Sequence, residues 1–164
     1  MNCFYRFILG LGTFMLATPQ GLPAQKDTTF VANGNPIVKY KYTADPGAMV
    51  HDGKVYIYAG HDECPSDKEH YLLNEWCVFS SSDLKNWREY PVPLKAKDFA
   101  WAKGEAWASQ VIERNGKFYW YVTLEHKTVL GKSIGVAVSD SPVGPFNPNR
   151  SLGLSYFPFS NDRH

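Results

Sequence analysis

Two hairpin dipeptides, Asp52-Gly53 and Asn115-Gly116, stand 63 residues apart in this 164-residue chain. Both suit a type I′ turn, which demands positive φ at its two central positions. Their flanks agree. GAMVHDGKVYIYAG lies over QVIERNGKFYWYVT, so Lys54 meets Lys117, Tyr56 meets Tyr119 and Tyr58 meets Tyr121. After each hairpin a second signature recurs, WCVFSSSDLKNW and GVAVSDSPVGPF, with Asp83 and Asp140 in the Ser-Asp turns and Trp87 mirrored by Phe146. The chain thus holds two copies of one unit. Each copy reads strand, tight turn, strand, loop, strand, Ser-Asp turn and a short final strand. Serial four-stranded antiparallel units predict an all-β fold of the β-propeller kind.

A propeller closes its ring with roughly four to eight blades, and two units leave sheet edges open. Residues 26–146 are therefore expected to be the first two blades of a longer protein. Residues 147–164, NPNRSLGLSYFPFSNDRH, read as an irregular tail left by truncation or a shifted reading frame. A complete small β-sandwich is the alternative, and it leaves the missing closure unexplained.

Composition narrows the partners. The net charge is +1 with no basic block, so nothing electrostatic favours nucleic acid. The 5 Trp, 10 Tyr and 10 Phe serve a sheet core or a sugar-stacking surface equally well. Residues 1–25 read as a signal peptide: MNCFYR supplies a positive charge, FILGLGTFMLA a short apolar run, and TPQGLPAQ a cleavable segment. That run is shorter than the ~20 residues a bilayer needs. A periplasmic or secreted chain, with no membrane attachment after signal removal, is the expectation. Cys64 and Cys77 then remain, and an exported chain allows them to pair, although no spaced framework of cysteines supports it. Neither CxxC nor HExxH is present.

Asp45 is the residue that local pattern explains least. Before Pro46 it either shapes the strand entry, as Asp does in turns, or works as a carboxylate. The repeat sets Asp45 opposite Ala108 and Ala44 opposite Trp107, on one rim of successive blades. Trp107 there stacks on a sugar or packs between blades. Gln110 either bonds a sugar hydroxyl or faces the neighbouring blade. His61, Asp62 and Glu63 cluster in GHDE, but with no partner cluster they read as a solvated loop rather than a metal site, and His126 ends the second unit likewise. Asp83 and Asp140 are expected to cap turns. Met49, Val55, Ile57, Val78 and Val111 are expected in the core.

Three stretches, YTADPGAMVHDGKVYIYAGHDE, FSSSDLKNW and AWASQVIERNGKFYWYVT, together resemble glycoside hydrolase family 43, over roughly residues 35 to 147. The nearest likeness is to arabinofuranosidases, β-xylosidases and xylanases. The resemblance implies a five-bladed propeller and an inverting glycosidase acting on arabinose- or xylose-containing plant polysaccharide. It implies Asp45 as general base. The pKa-modulating aspartate and the general-acid glutamate of the family would lie beyond this chain, so little activity is expected of the fragment itself. Where many relatives read Trp-Ala-Pro-Asp, this chain has Trp107-Ala108-Ser109-Gln110, and Trp107 and Gln110 become candidate substrate contacts. No cofactor is required, though the full family fold can hold a structural calcium. A non-catalytic carbohydrate-binding propeller is the competing function, and a remnant without function a third.

Overall fold

Both predicted hairpins form, and each organises a sheet. The computed structural model describes residues 27–67, 69–149 and the backbone of Ser155–Tyr156, so the expected signal segment lies outside the described residues. Strands β1 (Thr28–Val31), β2 (Thr43–His51), β3 (Lys54–Glu63), β4 (Leu72–Ser81), β5 (Asn86–Glu89) and β6 (Leu94–Lys95) make the first sheet. Its order is β1-β5-β4-β3-β2, with β6 also on β4. Strands β7 (Ala102–Gly104), β8 (Ser109–Arg114), β9 (Lys117–His126), β10 (Lys132–Ser139), β11 (Asn147–Pro148) and β12 (Ser155–Tyr156) make the second. There β11-β10-β9-β7 run in order, β8 joins β9 and β12 joins β10. Asp52 and Gly53 have φ of 46° and 69°, Asn115 and Gly116 of 55° and 71°, as type I′ turns require. The pairings of His51 with Lys54 and of Arg114 with Lys117 close the two hairpins.

Side chains alternate across each strand, and this alternation builds the core. Tyr56 and Tyr58 of β3 face the second sheet, while Phe118, Trp120, Val122 and Leu124 of β9 face the first. Trp120 lies at the centre, its ring 5.0 Å from Tyr58, 6.0 Å from Trp76 and 4.9 Å from Phe146. Of the expected core, Val78 and Val111 are buried here and Met49 packs against them. Val55 and Ile57 point the other way. They join Phe30, Ile37 and Val38 over Cys77, Phe79 and Trp87 in a second cluster on the far face of the first sheet. The segment 30–38 therefore straps that face, and β1 adds an outer strand by pairing with β5 from Thr28–Glu89 to Val31–Asn86. The sequence reading did not contain this strand. Part of the stretch read as an irregular tail is also in the second sheet, since both β11 and β12 pair with β10.

The sheets touch most closely where β2 passes β8. A Cβ built on Gly47 would lie 2.9 Å from the Ser109 carbonyl oxygen and 2.9 Å from Gln110 Oε1. Only a residue without a side chain lets the strands approach so closely. Gly47→Ala is expected to cost about 1–3 kcal/mol, the usual range for overpacking, because a backbone atom cannot swing aside. Urea denaturation followed by tryptophan fluorescence measures it, and an unchanged midpoint would contradict the close approach.

The two Ser-Asp turns differ. Asp83 accepts hydrogen bonds from the backbone N–H of Lys85 (2.9 Å) and Asn86 (2.7 Å), from Asn86 Nδ2 (2.6 Å) and from Ser81 Oγ (3.0 Å). These donors, led by Asn86, hold its carboxyl well below the usual range. Asp140 does not cap its turn as expected. It pairs with Lys117 at 2.5 Å, and Ser139 Oγ accepts from the Ser141 N–H instead.

Candidate active site

The rim where both sheets begin gathers the residues singled out from sequence. Ala44 pairs with Gly60 and Gly47 with Tyr58, so Asp45 and Pro46 bulge out between two rungs of the ladder. Asp45 has φ of 50° and is exposed. Aspartate is among the few residues that accept positive φ, yet the conformation carries strain of order 1–3 kcal/mol and recurs at functional sites. The neighbouring strand is irregular at the same height, with a register shift between His61 and Asp62. The Asp62 N–H donates to the Tyr42 carbonyl at 3.1 Å. Burial, and next the negative charge of Asp45, push the Asp62 carboxyl up. Two carboxylates therefore share the rim, where sequence reading gave Asp62 only a loop role.

The segment Glu105–Ala108 bridges the sheets beside them. The Ala106 N–H donates to the Leu73 carbonyl (2.8 Å), Trp76 Nε1 to the Trp107 carbonyl (2.8 Å), and the Trp107 N–H to the Thr123 carbonyl (3.1 Å). Trp107 is 38% exposed, enough for a ligand to reach its ring. One face is already occupied: Lys132 Nζ sits 3.8 Å from the ring centroid. A sugar can stack on the opposite face alone. Gln110 turns toward the neighbouring blade. Its Oε1 lies against Gly47, and its Nε2 donates to the Val111 carbonyl at 3.1 Å and reaches the Ala48 carbonyl at 3.5 Å. Its surroundings favour the second of its two sequence readings, an interblade contact.

His61 and Glu63 do find a partner, Glu75 on β4, which sequence reading missed because it is a strand away. Ligand atoms of the three lie within 4.8 Å of one another. His61 Nδ1 is 3.1 Å from Glu75 Oε1, and Lys95 Nζ is 2.9 Å from Glu75 Oε2. Burial opposes ionisation of Glu75, but Lys95 and His61 together outweigh it and hold the carboxyl below its usual range. Calcium prefers six to eight oxygen ligands. One imidazole and two carboxylates, one of them held by a lysine, do not fit it. His126 is structural: its Nδ1 accepts from the Thr128 and Val129 N–H groups at 3.1 and 3.0 Å, and its ring stacks on Trp101.

Cys64 and Cys77 are unpaired, one exposed and one buried. Burial pushes the Cys77 thiol up to about 12, so it stays protonated and unreactive at neutral pH. Iodoacetamide followed by peptide mapping should label Cys64 readily and Cys77 only after denaturation. Equal labelling in the native state would contradict the buried placement.

A strained, exposed aspartate thus stands at a bulge where two serial antiparallel sheets meet. The sequence model for glycosyl hydrolases family 43 matches residues 33–161, and the chain belongs to that family. It is 37% identical over 119 residues to a xylosidase/arabinosidase from Bacteroides ovatus, covering 68% of this chain and 36% of that one. It is 36% identical over 122 residues to xylosidase/arabinosidase 43A from Humicola insolens, covering 70% and 37%. Among solved structures it superposes on a family 43 β-xylosidase/α-arabinofuranosidase from a compost microbial metagenome, in complex with xylotriose and in calcium-free form. That match has a TM-score of 0.65 at 38% identity and covers 74% of this chain and 38% of that one. A GH43_1 enzyme from Xanthomonas citri complexed with xylose matches with a TM-score of 0.63 at 34% identity, covering 73% and 35%. The chain therefore spans little more than a third of the relatives it matches. The all-β architecture and the likeness to five-bladed propellers agree with the fold expected from sequence.

Proposed function

We propose that this chain carries the general-base end of an inverting glycosidase that acts on arabinose- or xylose-containing plant polysaccharide in the periplasm or outside the cell. The observation that carries this reading is the bulge that lifts Asp45 out of the ladder, strained, exposed and close to Asp62. A base in an inverting enzyme must reach a water on the far face of the sugar ring, with the acid about 6.5–9.5 Å away. A carboxylate projecting from a rim leaves room for that water and can accept its proton. Trp107 offers one ring face as a sugar platform. The names of the relatives, xylosidase and arabinosidase, support pentose-containing substrates.

The test uses residues 33–161 in place of the matching segment of the Bacteroides ovatus relative. This chimera is assayed on nitrophenyl arabinofuranoside and nitrophenyl xyloside, with the product anomer read by proton NMR before mutarotation. Inversion at the anomeric carbon is expected. Release of the retained anomer would overturn the reading. Absence of turnover, with binding of xylotriose preserved, would favour a carbohydrate-binding role instead.

A further inference from the structure

Behind the rim, the upper edges of the two sheets are separated by a cleft of about 530 Å³. Lys95, Lys97, Lys103 and Lys127 line it, against two carboxylates, Glu63 and Glu75. Of the two lining carboxylates, Glu75 is engaged. Glu75 is shared by His61 and Lys95, and Glu125, beside the cleft, is shared by Lys103 (3.2 Å) and Lys132 (3.1 Å). Lys127 Nζ donates to the Ala100 carbonyl at 2.7 Å, which leaves further donor capacity. Lys97 is exposed and has no carboxylate partner among the described residues.

The cleft is also joined to the rim. Lys103, Glu125 and Lys132 form a continuous chain of ion pairs that ends on the ring of Trp107. A saccharide stacked on the face of Trp107 opposite Lys132 could send a branch round the edge of that ring, past Lys132, toward the lysines. We propose that this cleft holds the carboxylate of a uronate-bearing branch on the saccharide, so that the site selects acid-decorated over neutral chains. The inference rests on the glycan reading above. Lysine suits this task, because an ammonium is a compact point charge that needs no fixed bidentate geometry and can follow a mobile branch. Its attraction weakens with salt, since the cleft is open to solvent. Any small anion shares this chemistry, and the attached sugar chain is what distinguishes a uronate.

The experiment titrates the full 164-residue chain, by calorimetry at low ionic strength, with three probes. These are a xylo-oligosaccharide bearing one glucuronic acid branch, the same oligosaccharide unbranched, and inorganic phosphate. The branched probe is expected to bind about three- to tenfold more tightly than the unbranched one, and the two should converge at high salt. Lys97→Gln with Lys127→Gln should erase the preference and leave the unbranched affinity unchanged. If near-ultraviolet circular dichroism shows that this pair disturbs the fold, Lys97→Gln alone, which has no ion pair to lose, should still reduce the preference. Equal affinity for both oligosaccharides overturns this proposal and leaves the glycan reading standing. A preference that survives the lysine variants, or phosphate binding as tightly as the branched probe, also overturns it. Failure of both oligosaccharides to bind overturns the glycan reading together with it.

Discussion

Asp45→Asn is expected to lower the hydrolytic rate of the chimera by a factor of about 10²–10⁴, the range a positioned general base supplies. The substitution changes little else. Asparagine matches aspartate in shape and tolerates positive φ equally well, so the bulge at Ala44–Gly47 should persist. Thermal unfolding checks this, and the midpoint should stay within a degree or two of the parent. A second readout comes from Asp62. Its carboxyl is pushed up first by burial and then by the charge of Asp45. Removing that charge should move the Asp62 titration downward, visible by carbon-detected NMR, while the burial contribution remains. Full turnover by Asp45→Asn would sink the base assignment. An unmoved Asp62 titration would show that the two carboxylates do not share the rim.

The second large effect is on folding. Trp120→Ala should destabilise the protein by about 3–5 kcal/mol, the range for truncating a fully buried large aromatic. Trp120 has no exposed surface and contacts Tyr58 and Trp76 of the first sheet and Phe146 of its own, so the cavity opens between the sheets as well as within one. Small domains are stable by about 5–15 kcal/mol, so such a loss leaves a marginal fold. Trp120→Phe should be far milder. It keeps a ring in place and removes an indole N–H that has no hydrogen-bond partner among the described residues. Urea midpoints of the two variants decide the matter, and similar losses from both would contradict a packing role.

The hairpins, the 63-residue repeat and the direction of most core residues were legible in the sequence. They depend on local turn chemistry and on period-two alternation, both of which short windows contain. The same repeat placed Trp107 and Asp45 on one rim, and Gly47 does pack against Gln110, its counterpart one repeat later. What could not be read depends on distant partners. Strand β1 is four residues long and exists because β5, some sixty residues onward, offers an edge. Glu75 joins His61 only through the β3–β4 register. The closeness of Asp62 to Asp45 follows from irregularities on two neighbouring strands, and no periodicity announces a bulge. Lys132 covering one face of Trp107 is a contact across a loop, which spacing does not predict. The Asp140–Lys117 pair likewise replaced an expected cap, because a lysine across the hairpin competed for the carboxylate.

The contact between the two sheets joins unlike surfaces. Tyr56 and Tyr58 of one copy meet Trp120 and Val122 of the other, while their own counterparts, Tyr119 and Tyr121, point outward and Tyr121 is 39% exposed. Such an interface is heterologous, a single rotation applied head to tail, and an operator of that kind can be applied again without limit unless a ring closes or one end is blocked. Here one end is covered. The strap of residues 30–38 lies over Val55, Ile57 and Phe79, the surface that a preceding sheet would meet. The second sheet can receive a successor directly, whereas in a closed ring the last blade would meet the first sheet across this strap. Stacking of separate copies into open filaments is disfavoured by the same strap that completes the core of the first sheet.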